Sequence, residues 1–442
     1  MMNDDIEIGY LVKKVEIRLT KKQKEKAIRI LNACHALWNI YIQVQKETYR
    51  DEKRLMNNYE FSKHFNHDIK PIMPWFEKTS SKALSDLVNN CWNSFVKSHR
   101  LKFRSKRKNP VTSFFFIKDA IHYISPKRIT IPILGEIKLK EAGYITQNDV
   151  DNTTSGRIIY KRSIDCWYVM LRIQYEKHHP IHRPEIPGIG IDLGIKSYIT
   201  ASFRNTSSLD GEFHFNGYPN PAKDPVSEWC YDKMNHLNQI IDHKVMCNMI
   251  RFGYDPKKSR KNIRKEDATA IYHSKAIDKL RKRIAKIWTH AINHKYDAYK
   301  KACSALVRTK PEYICMESID ASLLIEKRGS KSLRRFNSRN CYSYFRNFMK
   351  WKCDQHNIPF YLADDFYPST QRCSKCGHVK QGRAKLKLTD REYHCKKCGL
   401  VLDRDINAAR NIMQWGYKEL NREIQNHTKN ISYSPEFLEL YS

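Results

Sequence analysis

The stretch GIGIDLGIKSYITASF, residues 188–203, alternates in a way that fixes the rest of the reading. Strand periodicity puts Ile189, Ile191 and Leu193 on one face and Gly190, Asp192 and Gly194 on the other. The acid is flanked on its own face by residues without side chains, which leaves room for a metal ion and a phosphate backbone to approach. Taken alone, an acid that merely caps or pairs at a strand end is the commoner occurrence. Working outward, strands are expected near 189–203, 211–217, 311–318 and 358–363, interleaved with helices near 225–250, 268–308 and 340–356. That alternation predicts an α/β layer fold.

Two further acids stand at comparable places. In PEYICMESID, residues 311–320, Tyr313, Cys315 and Glu317 oppose Ile314 and Met316, so Glu317 ends an otherwise apolar strand. In DRDINAARNI, residues 403–412, Asp403 and Asp405 open a helix whose N-terminal dipole favours an ionised carboxylate, although an N-cap aspartate is the ordinary explanation there. Carboxylates gathered at one point repel one another and persist mainly where a hard cation neutralises them, commonly two ions about 4 Å apart. Such a pair activates water and stabilises the leaving oxygen of a phosphodiester, which is nuclease chemistry.

Just before the last acids, Cys373-x-x-Cys376 and Cys395-x-x-Cys398 are separated by 18 residues, the spacing of a four-cysteine zinc ribbon. Gly377 and Gly399 follow the two pairs and permit the φ > 0 turn that aims backbone amides at sulfur. Four thiolates leave no open coordination position, so this metal holds a fold and performs no chemistry. His378 and His394 are bystanders, because the tetrahedron is complete without them.

The N-terminal part reads differently. YLVKKVEIR (10–18) alternates like a strand, and residues 21–50 carry Ile28, Leu31, Leu37, Ile40 and Ile42 at helical spacing. A second helical pattern spans 79–99, with Leu84, Leu87, Val88, Trp92 and Phe95 on one face and Thr79 or Ser80 as N-cap. KFRSKRKNP (102–110) holds five basic residues in nine, and short alternating strands follow it up to residue 177. The first 180 residues therefore read as a β-barrel-like set of strands with a helical insertion. Residues 177–188, rich in His and Pro, look like a linker, and 255–267 like a basic loop or helix end.

Charge points to a polyanion. The 442 residues include 80 Lys plus Arg against 47 Asp plus Glu, a formal charge of +33 that repels itself unless screened, and nucleic acid is the natural counter-charge. Arg104, Lys106, Arg107 and Lys108 are the basic cluster expected to contact RNA or DNA, while Phe114, Phe115 and Phe116 beside them are assigned to the core. Arg281 and Arg283 on the long basic helix 279–307, and Arg404 in the last motif, are further candidates. The N-terminus has acids where a signal peptide carries basic residues, and no apolar run is of membrane-spanning length. A soluble protein of the prokaryotic cytosol is therefore expected. Nine of the 13 cysteines are scattered singly, which suits a reducing compartment without disulfides.

In order and spacing, GIDLGIKSYIT, YICMESI, FYPSTQRCSKCG with its four-cysteine ribbon, and DRDINAARNI resemble the split RuvC nuclease domain of the TnpB family and its relatives, the compact type V CRISPR effectors. The resemblance covers residues 186 to about 415. It implies that Asp192, Glu317 and Asp405 are catalytic acids binding two Mg2+ or Mn2+ ions. Asp405 is preferred to Asp403, because relatives with a single acid there keep the one two places before the Asn. It implies a multidomain α+β architecture: a wedge β-barrel (1–20 and 100–180) with a helical recognition insertion (21–99), and an RNase H-like RuvC domain (181–368 and 403–442) with a zinc-bearing target-nucleic-acid-binding module (369–402). The implied activity is RNA-guided cleavage of double-stranded DNA beside a short adjacent motif, by a monomer carrying guide RNA and one structural zinc. A guide-directed DNA-binding repressor and a guide-free transposon nuclease are the alternatives. One departure is Lys295, where the family often has Arg; it keeps the charge and loses bidentate phosphate gripping.

Overall fold

The computed structural model describes residues 7–98, 102–106, 108–118, 121–176, 183–194, 197–204, 212–219, 224–256, 263–318, 340–387 and 390–430. The chain divides into two compact units, Met1–His178 and His179–Ser442. Residues 177–182 of the 177–188 linker and 257–262 of the 255–267 loop lie outside the described residues.

The first unit runs β1 (Ile8–Arg18), α1 (Lys21–Glu52), α2 (Asn58–His64), α3 (Ser81–Ser98), β2 (Ser113–Ile117), β3 (His122–Ser125), β4 (Arg128–Ile131), β5 (Gly135–Leu139), α4 (Gln147–Asp151), β6 (Thr153–Lys161) and β7 (Cys166–Glu176). Its strands form one antiparallel sheet in the order β2-β6-β7-β1-β5-β4-β3, and among the described residues no pairing joins the end strands β2 and β3. The long β1–β7 ladder runs from Ile8 opposite Glu176 to Ile17 opposite Trp167. One face is apolar and buries Val15, Ile17, Phe114, Phe116, Ile129, Ile137, Val169 and Leu171. Two of the three phenylalanines assigned to the core are thus fully inside, while Phe115 is half-buried beneath the Arg157 guanidinium.

α1 starts where Thr20 and Gln23 close a reciprocal capping box, and ends where Lys53 turns left-handed at φ 57. Its buried stripe is Ala27, Ile30, Leu31, Cys34, Leu37, Trp38 and Tyr41. Ile28, expected on the inner face, is 43% exposed. The helix is apolar over a wider arc than a single i, i+3, i+4 series, and the side chains packed inside are those one or two positions along. In α3 the backbone N–H of Ala83 donates to the Ser80 hydroxyl, and Leu84, Leu87 and Val88 are buried.

The second unit runs β8 (Ile189–Asp192), β9 (Ser197–Arg204), β10 (Glu212–Pro219), α5 (Pro225–Arg251), α6 (Lys265–Tyr272), α7 (Lys275–Arg308), β11 (Ile314–Glu317), α8 (Tyr342–Gln355), β12 (Phe360–Ala363), β13 (Glu392–His394), β14 (Val401–Asp403) and α9 (Arg404–Asn430). Five strands form a sheet ordered β10-β9-β8-β11-β12. β8, β11 and β12 are parallel, and β9 and β10 turn back antiparallel. β8 and β9 therefore form an antiparallel pair, with Asp192 opposite Thr200 across the ladder and the Gly194 N–H donating to Tyr198 O at 3.3 Å.

The sheet is buried on both faces, which is why its strands are apolar nearly throughout. On one face Ile189, Ile191, Ile314 and Met316 pack against Tyr299 and Cys303 of α7 and Phe345 and Met349 of α8. On the other face Tyr313 and Cys315 pack against Ile412 of α9. No described helix is long and apolar enough to cross a membrane.

Candidate functional site

Parallel register sets the first two acids side by side. Ile314, Cys315 and Met316 pair with Ile189, Gly190 and Ile191. One residue further, at the carboxyl ends of both strands, Asp192 and Glu317 fall on the same face, on neighbouring strands spaced about 4.8 Å apart.

Gly190 brings the third acid. A Cβ there would lie 2.0 Å from Ala409 O and 2.3 Å from Met413 N, so α9 presses its backbone directly on β8. The space beside Asp192 on this face is therefore filled by a helix, and is not the open approach for a phosphate that the glycine suggested. The Tyr313 hydroxyl donates to Met413 O at 2.8 Å, and a Cβ on Gly416 would lie 2.6 Å from Cys315 Cβ, so α9 packs on β11 as well as on β8. Asp192 lies two residues beyond Gly190 on β8, and Asp405 one helical turn before Ala409, the residue seated on that glycine.

The electrostatics record this meeting. Asp192 is 6% exposed, and its carboxyl is pushed well above the usual range first by burial, then by the charges of Glu317 and Asp405, with Asp403 adding and Arg404 opposing. Burial pushes Glu317 up to about 7. The Tyr342 hydroxyl, at the start of α8, is raised by burial and then by Glu317 and Asp192, which places it at the same spot.

The two aspartates of the last motif have separate tasks. Asp403 Oδ1 accepts from the backbone N–H of Asp405 at 2.8 Å and of Ile406 at 3.1 Å, which is the capping role. Asp405 is left with its carboxylate free of the helix backbone, and Arg404 donates to its Oδ1 from two guanidinium nitrogens at 3.1 Å each.

The four cysteines form a second cluster. Among the described residues they are the one group of three or more His, Cys, Asp or Glu ligand atoms lying within 4.8 Å of one another, and the three acids are gathered less tightly. Cys373 Sγ lies 3.6 Å from Cys398 Sγ, and Cys376 Sγ 3.6 Å from Cys395 Sγ. Four ligands at about 2.3 Å around a tetrahedral ion stand about 3.8 Å apart, so the donor set fits. Gly377 and Gly399 sit at φ 74 and 72, with their N–H groups donating to Cys373 O and Cys395 O at 2.9 Å. The amides of Lys375 and Cys376 approach the Cys373 sulfur, and those of Lys397 and Cys398 the Cys395 sulfur. His394 pairs with Glu392 and takes no part.

The candidate cations are spread out. Arg104 stacks over Trp38 at 3.8 Å, with its backbone N–H donating to Asn39 Oδ1 at 2.7 Å. It lines a cavity of about 310 Å3 with Asp86, Asn90 and Arg157. Lys106 and Lys108 are exposed, and Arg107 lies outside the described residues. Arg281 is engaged locally, by Tyr272 O and Asp278. Arg283 is exposed and lines a groove of about 600 Å3 with Lys244, Lys279, Lys282 and Lys286. Arg404 is held by Asp405. Lys295 is 1% exposed, donates to the Tyr231 hydroxyl at 3.2 Å and sits against the Tyr231 and Trp288 rings. It is an interior residue and does not grip phosphate.

Sequence reasoning missed Tyr342 and three amides of α9, Asn407, Asn411 and Gln414. The asparagines are fully buried and bond the chain entering the first cysteine pair. Their signal was present: polar residues at i and i+4 inside a motif whose neighbours Ala408, Ala409 and Ile412 are all buried.

Residues 342–412 match the family model described as Cas12f1-like, TNB domain. Over 266 residues the chain is 29% identical to a CRISPR-associated endodeoxyribonuclease Cas12f1 of Sulfoacidibacillus thermotolerans, covering 59% of this chain and 52% of that one. Over 230 residues it is 27% identical to TnpB-like protein L79 of Acanthamoeba polyphaga mimivirus, covering 52% of this chain and 37% of that one. The chain thus spans about a third to a half of the length of these relatives. Among solved structures, the mini-RNA-guided endonuclease CRISPR-Cas_phi3 aligns over 93% of both chains at 12% identity and a TM-score of 0.46, a likeness too low to carry functional weight. The motifs and these matches agree in placing the chain among the relatives of TnpB-like proteins and Cas12f1, with a Cas12f1-like TNB domain at residues 342–412.

Proposed function

We propose that this protein is an RNA-guided DNA endonuclease with one RuvC-type site formed by Asp192, Glu317 and Asp405. The observation that carries this reading is the convergence of acids from the ends of two parallel strands and the start of a helix, close enough that Glu317 and Asp405 each raise the Asp192 carboxyl. Charges of one sign do not collect in a buried place without a counter-charge. Three carboxylates and no sulfur or imidazole among them are the donor chemistry of a hard divalent cation. Mg2+ or Mn2+ bound there would supply an activated water and a counter-charge for the leaving oxygen.

The chain's own contributions follow from the geometry. Asp192 and Glu317 are held by the sheet: β8 and β11 pair with each other up to the residue before each acid, and the acids themselves pair outward, Asp192 with Thr200 and Glu317 with Ala363. Asp403 caps α9 and so leaves Asp405 available to turn towards its partners. The four-cysteine cluster would hold one structural zinc. The formal charge of +33 suits a long RNA and a DNA target, with Arg104, Lys106, Arg107, Lys108 and Arg283 as contacts to the phosphate backbone. We assign 1–20 and 100–180 to a wedge, 21–99 to recognition, 181–368 and 403–442 to the nuclease domain, and 369–402 to the ribbon module.

Asp192→Ala tests the reading. With the RNA that copurifies with the chain, and plasmid DNA carrying the matching target and its adjacent motif, the variant is expected to bind target and leave it uncut in Mg2+. Cleavage at the wild-type rate would remove the acid assignment. A native preparation without RNA would favour a guide-free nuclease.

A further inference from the structure

Three side-chain amides line one face of α9 at i, i+4 and i+7: Asn407, Asn411 and Gln414. Asn407 Nδ2 donates to Arg372 O at 2.7 Å, and its Oδ1 accepts from Ser374 N–H at 3.0 Å. Asn411 Nδ2 donates to Ser369 O at 2.8 Å and Arg372 O at 2.7 Å. Gln414 Nε2 donates to Ser374 O at 2.6 Å, and the Tyr367 hydroxyl donates back to Asn411 O at 3.1 Å. Cys373 lies between two of the gripped residues, Arg372 and Ser374.

We propose that Asn407, Asn411 and Gln414 are positioning residues that clamp the first cysteine knuckle onto α9, so that closure of the four-cysteine cluster holds Asp405 in place over Asp192 and Glu317. This rests on the reading of those three acids as the cation site.

The cluster has two arms. One is the clamped segment with Cys373 and Cys376. The other is the β13–β14 hairpin with Cys395 and Cys398, which pairs Glu392 with Asp403, receives the Arg404 N–H on Arg391 O at 2.8 Å, and runs straight into α9. Sulfur contacts of 3.6 Å join one arm to the other, Cys373 to Cys398 and Cys376 to Cys395. Helix, clamp, first knuckle, second knuckle and hairpin therefore form a closed ring around the first turn of α9, the turn that carries Asp405. Without the amides, the segment before the first cysteine keeps the Tyr367 hydroxyl on Asn411 O, one turn further along the helix, and the first turn of α9 loses its direct hydrogen bonds to the first knuckle. A loop that merely crossed a helix would not require two fully buried asparagines, since apolar contact serves as well and leaves no amide to satisfy.

The test uses the full chain with its copurified RNA and two variants. Asn411→Asp keeps the shape and replaces the donors with an oxygen facing two carbonyls. Gln414→Leu removes one bond at the margin and carries the test if the first variant fails to fold. Zinc per chain is measured by elemental analysis, Mn2+ binding by electron paramagnetic resonance, and the Mg2+ requirement by cleavage. The expected result is unchanged zinc, Mn2+ affinity weakened about tenfold or more, and a matching rise in the Mg2+ needed for half-maximal rate, as for loss of a group that orients a metal ligand. Unchanged Mn2+ affinity and Mg2+ requirement would overturn the proposal, whatever happens to the melting temperature. Asp405→Asn separates the two failures. If it retains Mn2+ binding and cleavage, the acid site itself is wrongly assigned; if it loses both while the clamp variants keep both, only the clamp is refuted.

Discussion

At the scale of single residues, the acids make the protein's response to pH specific. Glu317 is raised from 4.5 to about 7 by burial, and Asp192 is raised well above its usual range by burial first and then by the charges of Glu317 and Asp405. A carboxyl whose folded pKa exceeds its unfolded value keeps its proton longer in the folded state. Between 4.5 and about 7 the folded state therefore binds more protons, and stability falls as pH rises through that window. The expected outcome is a Mg2+-free melting temperature that drops between pH 5 and pH 7 relative to Glu317→Gln, with Mg2+ restoring more at pH 7 than at pH 5. If wild type and Glu317→Gln run parallel across that range in Mg2+-free buffer, Glu317 is not in a charge-poor, acid-rich place. Lys295 teaches the opposite lesson. Its sequence context is a basic helix, yet it points inward to Tyr231, and only the burial reveals which of the lysines is structural.

Among elements, the contact of α9 with β8 decides the site. Gly190 has no side chain because the carbonyl of Ala409 occupies the position a Cβ would take, at 2.0 Å. Gly190→Ala must push α9 off the strand, and because neither contact is the end of a flexible side chain, the cost is of the order of 1–3 kcal/mol. The helix would rise by its first turns, taking Asp405 with it. Chemical denaturation should show the lower stability, and cleavage should fall far more than target binding. A Gly190→Ala protein that is as stable and as active as wild type would mean that the helix is not seated there. The same contact explains what the alternation in GIGIDLG could and could not convey: it correctly separated the Ile189/Ile191 face from the Asp192 face, but an empty position reads the same whether a phosphate or a helix backbone comes to fill it.

For the whole molecule, charge is the governing quantity. An excess of 33 positive charges over 442 residues requires a polyanion, and binding through many phosphate contacts releases counterions. Guide RNA affinity should therefore fall about a thousandfold or more between 50 and 200 mM salt if six to ten phosphates are neutralised. A loss below tenfold would mean that the basic surface is not its seat. Arg283 is a good site at which to read the slope, because it is exposed in a groove with four lysines; Arg281, two residues away, is engaged by Asp278 and Tyr272.

The sequence by itself determined the local features: which segments are strands or helices, that an aspartate of the Asp403/Asp405 pair could cap the last helix, and the cysteine spacing that builds two knuckles. These depend on neighbours within a few residues, and propensity, periodicity and turn chemistry report such neighbours directly. Only the tertiary structure decided that Ile28 faces outward, that Lys295 is interior, that a helix fills the place beside Gly190, and that Asn407 and Asn411 serve the cysteine knuckle. The reason is physical. Each of those facts depends on a partner far away in the chain, and a polar or missing side chain carries no mark of the partner until packing supplies one.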